Sequence, residues 1–338
     1  MSFIAVLVSK LGLGDLCHGM RGLSNYNLSC CVNTLLQTFS ATLELADLLD
    51  KWDAAGVRTD SSNVPQQLKK VLVAMRSDHP QPAPHRDFLH CLDSNRIQLS
   101  IQHDADEVFL SILNLIQKQM DNKTLALQIK DLYKISVQTQ LKCLDCDSIQ
   151  TLDSYLLSLP LHIKEDQNTL EECMKSFFEH QELRGRDCCT CEPCGTKTPS
   201  KQGVKLLALP PILCVHLKRF RNMRGYTRKL HCEVNFPETL DLSEMIHEAF
   251  SAEFAQNNCK YTLYAVVVHS GEAMCGHYTA YVRHSRTQSW YYADDSCVKK
   301  VSWQDVQTTY GGHRRQTAYM LMYRRDSKEE GHQPECSG

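Results

Sequence analysis

Two short cysteine pairs constrain this chain more than any other feature. Cys143-Leu-Asp-Cys146 and Cys191-Glu-Pro-Cys194 each set two thiols on one side of a tight turn. Four sulfurs brought together form the tetrahedral set that a structural zinc takes. The pairs are far apart in sequence, so the stretch between them has to carry structure of its own. Cys188 and Cys189 adjoin the second pair and are the alternative candidates for one ligand. The competing reading is four packed or free thiols. A site with four protein ligands is closed, hence structural. Such sites bind with about 10–16 kcal/mol at neutral pH, released as folding energy.

The remaining cysteines need a setting. There are 17 in 338 residues, too many residues and too large an apolar fraction, 42%, for a small disulfide scaffold. The run from Ile4 to Val8 is apolar, but Ser9-Lys10 stops it. A secretory core takes about 7–15 apolar residues and a membrane span about 20. The expected setting is therefore the reducing cytosol, with the nucleus as an extension, where thiols serve metals, catalysis or packing. Lys plus Arg is 37, Asp plus Glu is 39, and net charge is -2. That balance gives no overall drive towards nucleic acid or an anionic membrane.

Patterning changes along the chain. Residues 1–19 carry little pattern and read as an extension. From Ser29, a plausible N-cap, the residues Val32, Leu35, Leu36, Phe39 and Leu43 follow helical spacing. Residues 53–63 and 77–86 hold loop formers. A second helix starts near Asp104, with Phe109, Ile112, Leu113, Ile116 and Met120 on one stripe. After about residue 130 the segments 212–217, 261–269, 278–283, 290–294 and 318–324 read as strands. Helices precede strands without βαβ alternation, which gives an α+β fold rather than a doubly wound sheet. The polar, aperiodic tail 326–338 is expected to be disordered.

A nucleophile is legible beside the metal signal. Cys30 follows a candidate cap at the start of a helix, where free N–H groups and the helix dipole stabilise a thiolate. Cys31 is the rival, and spacing does not separate the two. A base could come from His277, which opens a strand after the small-residue loop 270–276, or from His269 on the preceding strand. A carboxylate near the imidazole would fix its tautomer. Asp294 shares a strand face with Trp290 and Tyr292, and Asp295 points the other way.

Jointly these pieces resemble the ubiquitin-specific proteases. The run from Gly22 through Asn25, Ser29, Cys30, Asn33 and Leu36 to Gln37 is similar to the cysteine box of that family. Gln102-His-Asp104-Ala-Asp-Glu107 resembles its second short box. Leu209 to Phe220 and Val234 to Pro237 resemble its central strands. Tyr261 to Gly271, Gly276-His277-Tyr278 and Trp290 to Asp295 resemble the histidine box, and Ala318 to Tyr323 the closing strand. Order and spacing agree from about residue 20 to 325.

The resemblance implies a papain-like cysteine protease fold of thumb, palm and fingers, occupying 20–325, with zinc-bearing fingers around 140–200. It places Cys30 as nucleophile, His277 as general base, Asp294 as its orienting acid and Asn25 as the oxyanion-stabilising amide. Asp295 stays open as an alternative partner of the imidazole. Asp104 and Glu107 fall at acidic positions that hold the basic tail of ubiquitin; the plain alternative is a helix cap. Cys143, Cys146, Cys191 and Cys194 match the zinc ligands. Two departures stand out: Asn27 replaces the usual glycine and Ser29 the usual threonine. Asparagine tolerates positive φ, so the turn can survive.

Doubled Cys30-Cys31, the context of the second knuckle and the run from Val301 to Gly311 resemble the interferon-inducible branch of the family. That branch removes a ubiquitin-like modifier built of two fused ubiquitin folds from target lysines, and is associated with damping of type I interferon signalling. The expected partners are thus that modifier and its conjugates, with ubiquitin, interferon receptor or signalling components as further candidates. A general deubiquitinase and a chiefly non-catalytic scaffold are the alternatives.

Overall fold

The computed structural model describes residues 20–52, 60–99, 101–256, 258–312 and 316–327. The expected extension 1–19, part of the loop 53–63 and nearly all of the tail lie outside these residues. Asp326, the first tail residue, is tied to the body: its N–H donates to the Lys260 carbonyl and its carboxylate accepts from Thr262.

The first hundred described residues are helical: α1 (Cys30–Ala41), α2 (Leu43–Lys51), α3 (Val64–Arg76), α4 (Arg86–Ser94), α5 (Ala105–Gln119) and α6 (Lys123–Tyr133). The stripe expected from Ser29 ends one turn early. Thr42 leaves helical geometry and its hydroxyl donates to the Thr38 carbonyl. Leu43 therefore opens a separate helix and is exposed. Asp104 starts α5 as expected, accepting from the N–H groups of Asp106 and Glu107.

The rest is mainly strand. A four-stranded antiparallel sheet contains β1 (Ile135–Cys143), β2 (Ile149–Leu156), β4 (Gln181–Leu183) and β5 (Ser200–Ala208), in the order β2-β1-β5-β4. The larger sheet contains β3 (Leu159–Leu161), β6 (Ile212–Leu217), β7 (Thr239–Asp241), β8 (Lys260–Glu272), β9 (Cys275–Arg283), β10 (Trp290–Asp294), β11 (Cys297–Val301) and β12 (Gln316–Arg325). Its order is β11-β10-β9-β8-β12-β6-β3, with β7 beside β8. Only the β3–β6 pair in it is parallel. Helix α7 (Leu170–Phe178), opened by a Thr169/Glu172 capping box, packs beneath.

The period-two pattern of the central strands has a direct consequence. Cys214, Val267, Met320 and Met322 face the helices and join Leu35, Phe39, Phe109 and Ile112 in one core. Their neighbours Leu213, Val215, Val266, Val268 and Leu321 face the other way and join Leu170, Met174 and Phe178 in a second. The sheet is thus a wall between two cores. The helical layer, this wall and the four-stranded extension correspond to thumb, palm and fingers, an α+β architecture. Among the described residues no helix is long and apolar enough to cross a membrane.

Candidate active site

The segment before α1 is fixed from both sides. The Arg21 guanidinium donates to the carbonyls of Ala74, Gln81 and Pro82 and to Ser77. Leu23 N–H then donates to the Asp295 carbonyl at 2.9 Å. Gly22 lies so close to the turn after β10 that an added Cβ would strike the Ser296 backbone. The chain entering α1 is therefore laid directly on the turn that carries Asp294 and Asp295. Asn27 takes the left-handed conformation expected of it, at φ 61°.

Ser29 does not cap the helix. Its ψ is near 1°, already helix-like rather than the extended geometry of a capping residue, and its side chain makes no capping bond. The hydroxyl instead accepts from Tyr26 N–H at 2.8 Å and donates to Asn25 Oδ1 at 3.3 Å. The start of α1, with Cys30 as its first residue, thus receives no capping bond from the Ser29 side chain.

His277, the third residue of β9, is half-exposed next to Cys30. Its Nε2 donates to Asp294 Oδ1 at 2.7 Å. Asp295 Oδ2 is 4.0 Å from the same nitrogen. Hydrogen bonding to Cys30 and then to Asp294 raises the imidazole to about 9 against the opposing effect of burial. Asp294 also accepts from the Tyr292 hydroxyl at 3.4 Å, the same-face neighbour that alternation predicts. Asp295, at φ 48°, turns away and accepts from Asn25 Nδ2 and Asn33 Nδ2, both at 2.8 Å. The two carboxylates have different partners: Asp294 the imidazole, Asp295 the two asparagines. Asn25 is held at its oxygen by Ser29 and at one amide hydrogen by Asp295. Its second amide hydrogen stays available.

The rivals are in different surroundings. Cys31 is buried, and burial pushes its thiol well above the ordinary range. His269 is 0% exposed, neither ring nitrogen has a partner, and burial lowers it to about 3, so it stays neutral. Asp104 fulfils the plain alternative at least: one oxygen caps α5 and the other accepts from the Tyr319 hydroxyl. Glu107 is exposed on the first turn of α5.

The sequence reading missed a polar chain behind the cysteine. Asn33 is 2% exposed, one turn along α1, and its Oδ1 accepts from His85 Nε2 at 2.7 Å. Burial lowers the His85 pKa. His85, Asn33, Asp295, Asn25 and Ser29 form one continuous series of hydrogen bonds. A polar residue on the apolar side of α1 was the available signal for Asn33; His85 had none.

The four knuckle cysteines meet at the far end of the fingers, their sulfurs all within 4.8 Å of one another. Cys146 Sγ and Cys191 Sγ are 3.6 Å apart, about the spacing of thiolates around a tetrahedral zinc. Each knuckle ends in a left-handed residue, Asp147 at φ 59° and Gly195 at φ 69°. Thr198 Oγ1 lies 3.2 Å from Cys143 Sγ, and Ser148 Oγ lies 3.1 and 3.3 Å from Cys146 and Cys191. The hydroxyl of Thr198, then backbone N–H groups, hold the Cys143 thiol down to about 6. The donor set fits a zinc ion. Cys188 and Cys189 are not in the cluster.

A thiol on an uncapped helix start, an imidazole hydrogen-bonded to a carboxylate, and a fixed side-chain amide can attack a carbonyl and stabilise the resulting oxyanion. Known proteins resemble the chain along most of its length. The ubiquitin carboxyl-terminal hydrolase family matches residues 21–323. Ubl carboxyl-terminal hydrolase 18 of Homo sapiens is 35% identical, over 91% of this chain and 86% of its own length. Its Mus musculus counterpart is 37% identical over 91% and 88%. Ubiquitin carboxyl-terminal hydrolase 47 of Drosophila melanogaster is 24% identical over 91% of this chain but 25% of its own length. With nearly the whole chain matched and the thiol, imidazole and carboxylate side by side, the protein belongs to the ubiquitin carboxyl-terminal hydrolase family.

Proposed function

We propose that this protein is a cysteine isopeptidase that removes a ubiquitin-like modifier of the interferon-induced, ISG type from target lysines. The observation that carries the reading is Cys30 at an uncapped helix start beside the His277–Asp294 pair. Similarity to Ubl carboxyl-terminal hydrolase 18 supports the modifier class.

The chemistry follows from the geometry. The Cys30 thiolate attacks the carbonyl of the modifier's terminal glycine. The negative oxygen that forms is met by the free N–H groups of the first turn of α1 and by the remaining amide hydrogen of Asn25. A side-chain donor of this kind is worth about 3–4 kcal/mol in the transition state. His277, held protonated at neutral pH, gives its proton to the leaving lysine amine as the C–N bond breaks, leaving a thioester. The now neutral imidazole takes a proton from water, whose oxygen attacks the thioester and releases the modifier's carboxylate and the thiolate. Asp294 orients the ring and stabilises its charge. Asp295, by fixing Asn25 and Asn33, serves the oxyanion side. Exposed Glu107 is the acidic group open to a basic tail, next to Asp104.

Cys143, Cys146, Cys191 and Cys194 would hold a closed structural zinc, with Thr198 and Ser148 donating to the sulfurs. The reading extends to damping of type I interferon signalling in the cytosol or nucleus, through conjugate removal or through occupancy of a receptor or signalling complex. An interferon-response assay with Cys30→Ala separates these two routes.

The test of the modifier uses two activity probes, one built on the ISG-type modifier and one on ubiquitin. Labelling of Cys30 by the first, at least about tenfold faster than by the second, is the expected result. Equal labelling would make the protein a general deubiquitinase, and labelling of Cys30→Ala would refute the nucleophile.

A further inference from the structure

Four consecutive contacts sew the segment before α5 to the palm. Gln102 bonds Gly276; the His103 carbonyl accepts from the Tyr278 hydroxyl at 3.1 Å; Asp104 accepts from Tyr319; Asp106 lies 3.2 Å from His216. The last three fix backbone or buried groups. Gln102 is different. Its Nε2 donates to the Gly276 carbonyl at 2.5 Å, and its Oε1 accepts from the Gly276 N–H at 3.1 Å. A side-chain amide is here satisfying both main-chain groups of one strand residue, as the backbone of an adjacent strand would.

That residue immediately precedes His277. Strand β10 pairs with β9 only from Ala280 to Arg283, so the β9 edge at Gly276 has no strand beside it. The other side of the hairpin is fixed. Lys229, 1% exposed, donates from Nζ to the carbonyls of His269 and Gly271 at 2.9 and 3.0 Å, and Thr317 also donates to His269. Gly276 has to be glycine here, because an added Cβ would strike the His269 ring and the Ser270 carbonyl. An extended peptide whose last carbonyl is to reach Cys30 beside His277 meets this open edge. Extended peptides bind such edges through main-chain hydrogen bonds, and two glycines allow the closest approach.

We propose that Gln102 is a stand-in for the modifier's di-glycine tail: it closes the β9 edge at Gly276 in the free enzyme and rotates out when the tail pairs there. This rests on the isopeptidase reading. Because the flanking contacts hold the backbone at 103–104, opening takes a side-chain rotation and no loop rearrangement. The closed form lowers the apparent affinity for the tail by the fraction of molecules that are open.

The experiment measures binding to the Cys30→Ala protein, with and without Gln102→Ala, using intact modifier and modifier lacking its two terminal glycines. Two hydrogen bonds of ordinary net strength correspond to roughly tenfold. Gln102→Ala should tighten the intact modifier by about that factor and leave the truncated one unchanged, which also shows that the variant is folded. Gln102→Glu, with a carboxylate oxygen against the Gly276 carbonyl, should tighten it too. In the active enzyme the gain should fall on KM and not on kcat. Unchanged or weaker tail-dependent affinity, or a loss confined to kcat, would overturn the proposal and make Gln102 a strut for His277. Failure of any modifier to bind the Cys30→Ala protein would instead remove the isopeptidase reading.

Discussion

Strands β1 and β9 are both nine residues long and both sit in antiparallel ladders, yet they are secured in opposite ways. In β9 five consecutive residues, Tyr278 to Val282, are buried, because helices cover one face and the second core the other. In β1 the buried residues are Ile135 and Val137 at the base and Cys143 at the tip, with none between. Its neighbour β2 exposes Ile149 and Leu152 by 60% and 69%. Two-sided burial, at about 25 cal/mol per Å² of apolar surface, holds the palm without further help. The fingers lack that burial over most of their length and are closed by thiols at the far end. The proposed chemistry sits where packing is dense, and the cluster of four cysteines sits where packing is thin.

The sharpest way to break this division is Cys30→Ala. Cleavage should fall about a hundred-thousandfold, while the unfolding free energy changes by no more than about 1 kcal/mol. Denaturant unfolding and a conjugate-cleavage assay read the two quantities. A large loss of stability would make Cys30 a packing residue first.

Asp294→Ala tests the same centre more gently. Turnover should drop about ten-thousandfold, as for loss of an orienting carboxylate. Its pH profile carries a sign. His277 is raised to about 9 by Cys30 and by Asp294. Removing the carboxylate removes one raising influence, so the protonated ring is lost at lower pH and the alkaline limb of the rate profile moves down. An unmoved limb would assign the orienting role to Asp295.

Metal removal probes the other region. Native mass spectrometry should find one zinc, and Cys191→Ser or chelation should release it. Amide exchange in β1, β2 and β5 should then accelerate about a hundredfold, with β8, β9 and β12 still protected, consistent with local opening. Equal acceleration in both sheets would show that the fingers are not separately secured.

What the sequence disclosed follows the same line. The knuckles were legible because metal-ligand spacing is local, and α5 and the palm strands because their apolar period is local. Thr42 was not, since its hydroxyl is also held by that of Tyr264, a partner 222 residues away. Ser29 was misjudged as a cap because the pattern gives residue type and not ψ. The polar series was out of reach for a different reason: Asn33 meets His85 and Asp295, partners 52 and 262 residues away. Local periodicity holds no record of such pairings. The resemblance to a known family supplied Asn25 and Asp295 as candidates there, but not His85, the role of Asn33 or the separate partners of Asp294 and Asp295.

The position of β12 has a consequence for synthesis. It is the last strand of the described chain, yet it lies inside the large sheet between β8 and β6. Until residues 316–325 emerge, β8 and β6 have no common partner, Asp104 lacks Tyr319, and neither palm core can close. Cys30 is made at the other end of the chain and must wait for them. Until residues 316–325 emerge, a nascent chain would thus carry its thiol without an assembled site, and completion of the protease would be a slow event of long-range pairing.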